Sequence, residues 1–457
     1  MHRFYHFIVR YGFLLILFVY FCVHGALFVF DLENPKAFLH GDRAADRIAH
    51  IAHFMSAPSN YVALLTAPFP GDFAVQAVLY RFGGQYFVIG VQIFLQFAIL
   101  AGVYLCTLRL MGRGAALAAG LLLIAMPGTL MNTHMLVTEP WFAAFLSVGI
   151  LFFCLSVNDQ RELESLSYLS AGFLSLTLAM FIRPQGLLLP LAMAAALMAI
   201  AKGSRVPIFV GVAASYLVFP LSLMIFRLLS IGEFGLGESN ADLGINLLLR
   251  ANRILYGSYY ELGEKLTISQ FLSIAASHPL ATVNTFYADA VNLFLNPGNN
   301  AVFGFYLGLY NPEDFRFWVG LLDRAGPTGV IAQVVREEGP FVTTFVIWTV
   351  VHIVVLIGVG TACVRALRER NITPLWVWLV LVGVGVYLAT AFASGQLRWS
   401  HRAGIEPLLV ILVAWSFFSP TSSKELARQR GEIPSPSIGP RSWTKSVGAG
   451  ERNEAIE

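Results

Sequence analysis

Runs of about twenty apolar residues recur along this chain from end to end, and few folds can use them. A helix rises about 1.5 Å per residue, so such a run matches the roughly 30 Å hydrocarbon core of a bilayer. Inside lipid every backbone N–H and C=O must be satisfied within the segment or a closed barrel, so long apolar runs become helices. We read spans at 9–30, 85–108, 114–131, 140–157, 166–182, 186–201, 206–230, 341–363, 375–394 and 404–419. The expected fold is all-α, a polytopic integral membrane protein of about ten transmembrane helices. Composition agrees: 57% of residues are hydrophobic and 12% charged, where soluble domains carry roughly a quarter charged. A net charge of +3 is too small to imply a nucleic-acid partner.

Lysines and arginines orient the spans. Arg3 and Arg10, Arg109 and Arg113, Arg161, Lys202 and Arg205, and Arg365, Arg368 and Arg370 fall on alternate turns, and Lys424, Arg428 and Arg430 join them. That side is cytoplasmic, with both termini on it. Arg3 and Arg10 before an apolar run resemble a signal peptide, but the run continues from Tyr11 to Phe30 with no small-residue cleavage site, so the first span is expected to be retained. The expected organisation is a transmembrane module over 1–230 with a first outer loop at 31–84, a long outer loop at 231–340, C-terminal spans over 341–419 and a disordered cytoplasmic tail at 420–457. None of the four cysteines has a CxxC neighbour, which argues against zinc or disulfide use.

In the first outer loop, Ala44, Ile48, Ile51, Ala52 and Met55 share one helical face and Arg43, Arg47, His50 and His53 the other, the pattern of a juxtamembrane helix lying in the interface. It follows His40-Gly41-Asp42-Arg43. Asp42 suits an N-cap and equally a general base that takes the proton of an attacking hydroxyl. Glu139, in Thr138-Glu139-Pro140, is a favourable partner for a helix dipole or a second carboxylate that orients an acceptor. Arg183-Pro184 and the segment Arg398-Trp399-Ser400-His401-Arg402 put three arginines on the outer side, where cations are scarce. Guanidinium groups grip phosphate with two parallel hydrogen bonds, so Arg183, Arg398 and Arg402 are candidates for a lipid-phosphate clamp, with lipid anchoring as the plainer role. His40, Arg43, Asp72 and His401 are possible supporting residues. The histidines match no metal motif, and no metal or cofactor is expected.

In order and sidedness these features resemble the GT-C glycosyltransferases, in the branch of the protein O-mannosyltransferases and bacterial aminoarabinose transferases. The family's loop acid is Gly41-Asp42 here. Its Pro-Gly element is matched loosely by Pro70-Gly71-Asp72-Phe73, and its second-span Gln by Gln92 or Gln96. An Arg-rich turn and Ala-rich span follow, from Arg109-Leu110-Met111-Gly112-Arg113 to Pro127; then come Thr138-Glu139, Arg183-Pro184, and arginines ahead of Glu406-Pro407-Leu408-Leu409. The similarity covers about 1–200 and 395–419. Asp46 and Asp72 stand where the family usually has aromatics.

The resemblance implies transfer of a sugar, with inversion, from a polyprenyl-phosphate carrier to a lipid, polysaccharide or protein acceptor of the cell envelope. The site would face the periplasm of a bacterial inner membrane. Asp42 would act as base with Glu139 in support, and Arg183, Arg398 and Arg402 would hold the phosphate. A transporter or lipid flippase would also be polytopic, but would carry mid-membrane ionisable residues and often an inverted repeat.

Overall fold

The computed structural model describes residues 2–33, 51, 71–158, 162–200, 205–236, 239–257, 264, 266–294, 340–370, 373–393 and 402–418. Every regular element among them is helical. The first is α1 (His2–Glu33), followed by α2 (Gly71–Met111), α3 (Arg113–Ile124), α4 (Pro127–Thr133), α5 (Glu139–Asn158), α6 (Glu162–Ile182), α7 (Leu189–Ile200) and α8 (Val206–Tyr216). A π-helical turn, Leu217–Leu221, joins α8 to α9 (Ser222–Ile231). Then come α10 (Ser239–Tyr256), α11 (Ile268–Ser277), α12 (Pro279–Phe294), α13 (Pro340–Arg368), α14 (Leu375–Ala393) and α15 (Glu406–Phe418).

Among the described residues the fold is all-helical, that of a polytopic membrane protein. Six helical stretches are long and apolar enough to cross a bilayer, and α3 with α4, bent by 57°, makes up to a seventh. The other three expected spans coincide with shorter apolar helices, at Leu189–Ile200, Leu375–Ala391 and Glu406–Phe418.

α5 lies at the centre, packed along α6 and against α2 and α14, and α15 is enclosed by α3 and α13. Residues Glu406–Trp415 of α15 are all buried, as befits a helix apolar on every side. Close approach relies on small residues, because lipid offers no hydrophobic push between helices. A Cβ on Gly172 would stand 2.5 Å from the Phe153 ring, and one on Gly120 would stand 2.5 Å from Ile16.

Two breaks shape the bundle. At Gly83–Gly84 the backbone of α2 leaves helical geometry, and Gly84 takes φ 64° and ψ −160°, a region open only to glycine. The residues after it are the expected second span; the twelve before it form a separate helical segment, 71–82. The second break is the turn at Pro220, where proline cannot donate to the helical ladder. At the start of α2, Ile51, which precedes it in the chain, is buried against Ala77.

Candidate active site

Glu139 opens α5, with Pro140 after it to set the helical φ. Arg183 follows the last residue of α6. The α5–α6 pairing brings them together: Arg183 Nη1 lies 3.2 Å from Glu139 Oε1, and each side chain is 14% exposed. Thr138 Oγ1 donates to the other carboxylate oxygen at 3.3 Å. The guanidinium carbon stands 5.9 Å from the Phe142 ring centre, and Tyr387 of α14 packs on Phe142 at 5.4 Å. Behind Arg183 the chain folds tightly back on α6. A Cβ on Gly186 would meet the Met180 nitrogen at 2.8 Å, and Thr390 donates to the Gln185 carbonyl at 3.0 Å.

The segment that leads into Glu139 is fixed by glutamines of α2. Gln92 Nε2 donates to the carbonyls of Thr133 and Met135, each at 2.9 Å, and its oxygen accepts from the Trp141 indole at 3.2 Å. Gln76 donates to the Val137 carbonyl at 3.2 Å. Of the two glutamines that the sequence offered, Gln92 makes these contacts.

Between those carbonyls sits a feature that sequence reasoning missed. His134 Nδ1 lies 2.6 Å from Asp31 Oδ2, and its Nε2 lies 2.9 Å from His24 Nδ1. The two imidazoles stack, 5.1 Å apart and 9° from parallel. All three side chains are at most 2% exposed, and Asp31 Oδ1 has no hydrogen-bond partner among the described residues. Burial pushes the His134 imidazole down to about 3, since desolvation opposes the charged form. One signal was available: a histidine and an aspartate a turn or two apart near the end of an apolar span are costly unless satisfied.

Arg402 is placed differently. It is 1% exposed, donates through Nη1 to the Leu293 carbonyl at 3.0 Å, and meets His352 Nε2 at 2.9 Å. Its Nε stands 3.7 Å from Glu406 Oε1. Glu406 in turn accepts from the backbone N–H and hydroxyl of Thr129 at the start of α4. Arg402 is therefore enclosed by protein, bonded through Nη1 and paired in charge with Glu406, while its Nε makes no hydrogen bond among the described residues.

Asp42, His40, Arg43, Arg398 and His401 lie outside the described residues, and Asp72 is the second residue of α2. Among the described residues no three His, Cys, Asp or Glu side chains converge as metal ligands.

No family model matches this chain, and no curated protein does. Solved structures do align. The apo oligosaccharyltransferase of Archaeoglobus fulgidus matches at 13% identity and a TM-score of 0.40, over 76% of this chain and 42% of that one. The same archaeon's enzyme with an inhibitory peptide and a dolichol-phosphate matches at 12% identity and 0.39, over 79% and 43%. This chain thus spans about two-fifths of the length of the solved chains it aligns with. Superposition at that level is too loose to carry a statement about activity.

Proposed function

We propose that this chain is a membrane glycosyltransferase that moves a sugar from a polyprenyl-phosphate carrier to a cell-envelope acceptor, with inversion at the anomeric carbon. The observation that carries the reading is the Arg183–Glu139 pair: a guanidinium and a carboxylate, partly open, at the same ends of two adjoining spans. The pair is only 14% exposed, so holding both charges there costs desolvation, and a pair kept in a rigid frame at a membrane boundary points to chemistry with charge. Ten spans, both termini in the cytoplasm and a periplasmic site in a bacterial inner membrane complete the reading. The module at 1–230 and the spans at 341–419 would carry the reaction, beneath the outer loop at 231–340.

In this scheme the acceptor hydroxyl oxygen attacks the anomeric carbon as Asp42 takes its proton. The bond from that carbon to the carrier phosphate breaks, and the electron pair leaves on the phosphate oxygen. Arg183 and Arg398 neutralise the developing dianion, while Glu139 holds Arg183 and orients the acceptor. Arg402, enclosed by Glu406 and His352, adds its positive charge from behind and fixes the end of α12. His40, Arg43, Asp72 and His401 line the approach. No cofactor takes part.

The test is transfer by the purified protein in liposomes, offered a panel of polyprenyl-phosphate sugars and envelope acceptors. Release of polyprenyl phosphate together with an inverted glycoside supports the reading. Facilitated movement of the carrier lipid across the bilayer, with no transfer, would replace it with a flippase.

A further inference from the structure

Helices α10, α11 and α12 pack into a small unit with its own core of Leu247, Ala251, Ile254 and Phe271. Its charges are turned inward. Asp289 of α12, 1% exposed, lies 3.2 Å from Arg250 and 2.9 Å from Arg253 of α10, and Arg250 covers the Phe286 ring at 5.0 Å. From Ile268 to Phe294 the sequence contains no other Asp, Glu, Lys or Arg, where a soluble surface of that length would carry about seven.

What the unit exposes instead is apolar. Along α12, Leu280 is 81% exposed, Val283 63% and Tyr287 69%, and their spacing of three and four puts them on one face. On α11, Ile268 and Leu272 are each 58% exposed, one helical turn apart, with Ser269, Ser273 and Ser277 on the neighbouring stripe. The far end of α12 is fastened to the bundle: Leu293 is buried against Ala391 of α14, and its carbonyl accepts from Arg402. The apolar stripe therefore continues from the end of an apolar helix of the bundle, and no exposed charge interrupts it.

We infer that α12 lies along the outer surface of the bilayer, with Leu280, Val283 and Tyr287 immersed at the level of the lipid head groups. The occupant of this face is the protein's own membrane. Large apolar side chains on one exposed face lose less free energy against lipid than against water, and a tyrosine at the edge of the stripe suits the interface, where its ring is buried and its hydroxyl wet. The inward ion pairs fit the same placement, because the one acid of α12 lies on the face opposite the stripe and is held by Arg250 and Arg253. The inference does not depend on the proposed transfer reaction.

The experiment uses the full chain in proteoliposomes of neutral and anionic phospholipid. Cys22 and Cys363, the two cysteines that are not buried, are changed to alanine. A nitroxide is then attached at Leu280→Cys, Val283→Cys or Tyr287→Cys, with Glu264→Cys, an exposed charged position, as the aqueous reference. Labels on the stripe are expected to collide with oxygen at least several-fold more, relative to a water-soluble nickel chelate, than the label at 264. Equal nickel access at all four positions would overturn the inference. So would low access to both reagents together with a dimer in gel filtration, which would seat a second copy on the stripe. Should a cysteine variant fail to fold, tritium–hydrogen exchange of α12 amides in liposomes against detergent gives the same reading: protection from the bilayer side supports it, and identical exchange in both overturns it.

Discussion

Glu406 caps a helix that lies 277 residues earlier in the chain. Its Oε2 accepts the backbone N–H of Thr129 at 2.8 Å and the Thr129 hydroxyl at 2.7 Å, so an orphan donor at the start of α4 is satisfied by a carboxylate that also suits the helix dipole. The other oxygen faces Arg402. One acid thereby ties α15, α4 and the buried arginine together.

Glu406→Gln should therefore be costly. It keeps the shape but leaves Arg402 as an uncompensated charge in the interior, a loss of about 3–5 kcal/mol. Replacing both, as Arg402→Leu with Glu406→Gln, removes the stranded charge and should recover part of the loss. Thermal unfolding in detergent, followed by size-exclusion fluorescence, measures both. A single variant as stable as the parent would mean that the pair contributes nothing.

Asp42→Asn keeps the size and most of the capping capacity of the acid while abolishing its basicity. Protein level and melting temperature should stay near those of the parent, and transfer should fall by about two to four orders of magnitude. Near-normal turnover would leave Asp42 with a capping role alone.

Arg183→Lys and Glu139→Gln separate charge from geometry. Both side chains are only 14% exposed, so Glu139→Gln, which weakens the hold on a largely buried guanidinium, should cost about 1–3 kcal/mol, and Arg183→Lys, which keeps the charge, less. The lysine retains a positive charge and gives up the planar fork; donor affinity in a titration should drop at least about tenfold. If lysine restores the parent titration curve, Arg183 does not grip phosphate.

The His134 imidazole, held down to about 3 by burial, should stay neutral from about pH 8 to about pH 5, where an ordinary histidine with pKa about 6.5 titrates. The sign follows from desolvation: the folded protein resists the imidazolium, so its folded pKa lies below the unfolded one. Nitrogen-15 spectra of labelled histidine, assigned by comparison with His134→Gln, read this directly. Titration of that resonance near pH 6.5 would show water reaching the ring.

The close crossing of α5 and α6 should tolerate no added carbon. Gly172→Ala puts a Cβ 2.5 Å from the Phe153 ring and should cost about 1–3 kcal/mol. Gly360→Ala on α13 meets nothing within 4 Å and should be neutral or gain up to about 1 kcal/mol from helix propensity. The same unfolding assay compares them.

Apolar length made the helices legible: each expected span overlies an apolar helical segment, and the start of the second at 85 falls just past the Gly83–Gly84 break. Local pattern also marked Thr138-Glu139-Pro140 and Arg183-Pro184, which the α5–α6 pairing joins. Contacts that depend on tertiary closure were invisible. His134 reaches Asp31 across 103 residues and His24 across 110, and no periodicity links positions so far apart. Arg402 reads in sequence as an outward cation, yet α12, α13 and α15 close around it. The depth at which it sits was not legible.

The break at Gly84 also settles a problem of length. Unbroken, the 41 residues of α2 would form a rod of about 60 Å, twice the thickness of the oily interior that it has to cross. Mismatch on that scale would force a steep tilt or a distorted bilayer. Divided at the glycines, the part from residue 85 onward is about 40 Å long, which a modest lean accommodates, and the leading twelve residues are released to follow a direction of their own. Phe82, 75% exposed, stands just ahead of the break.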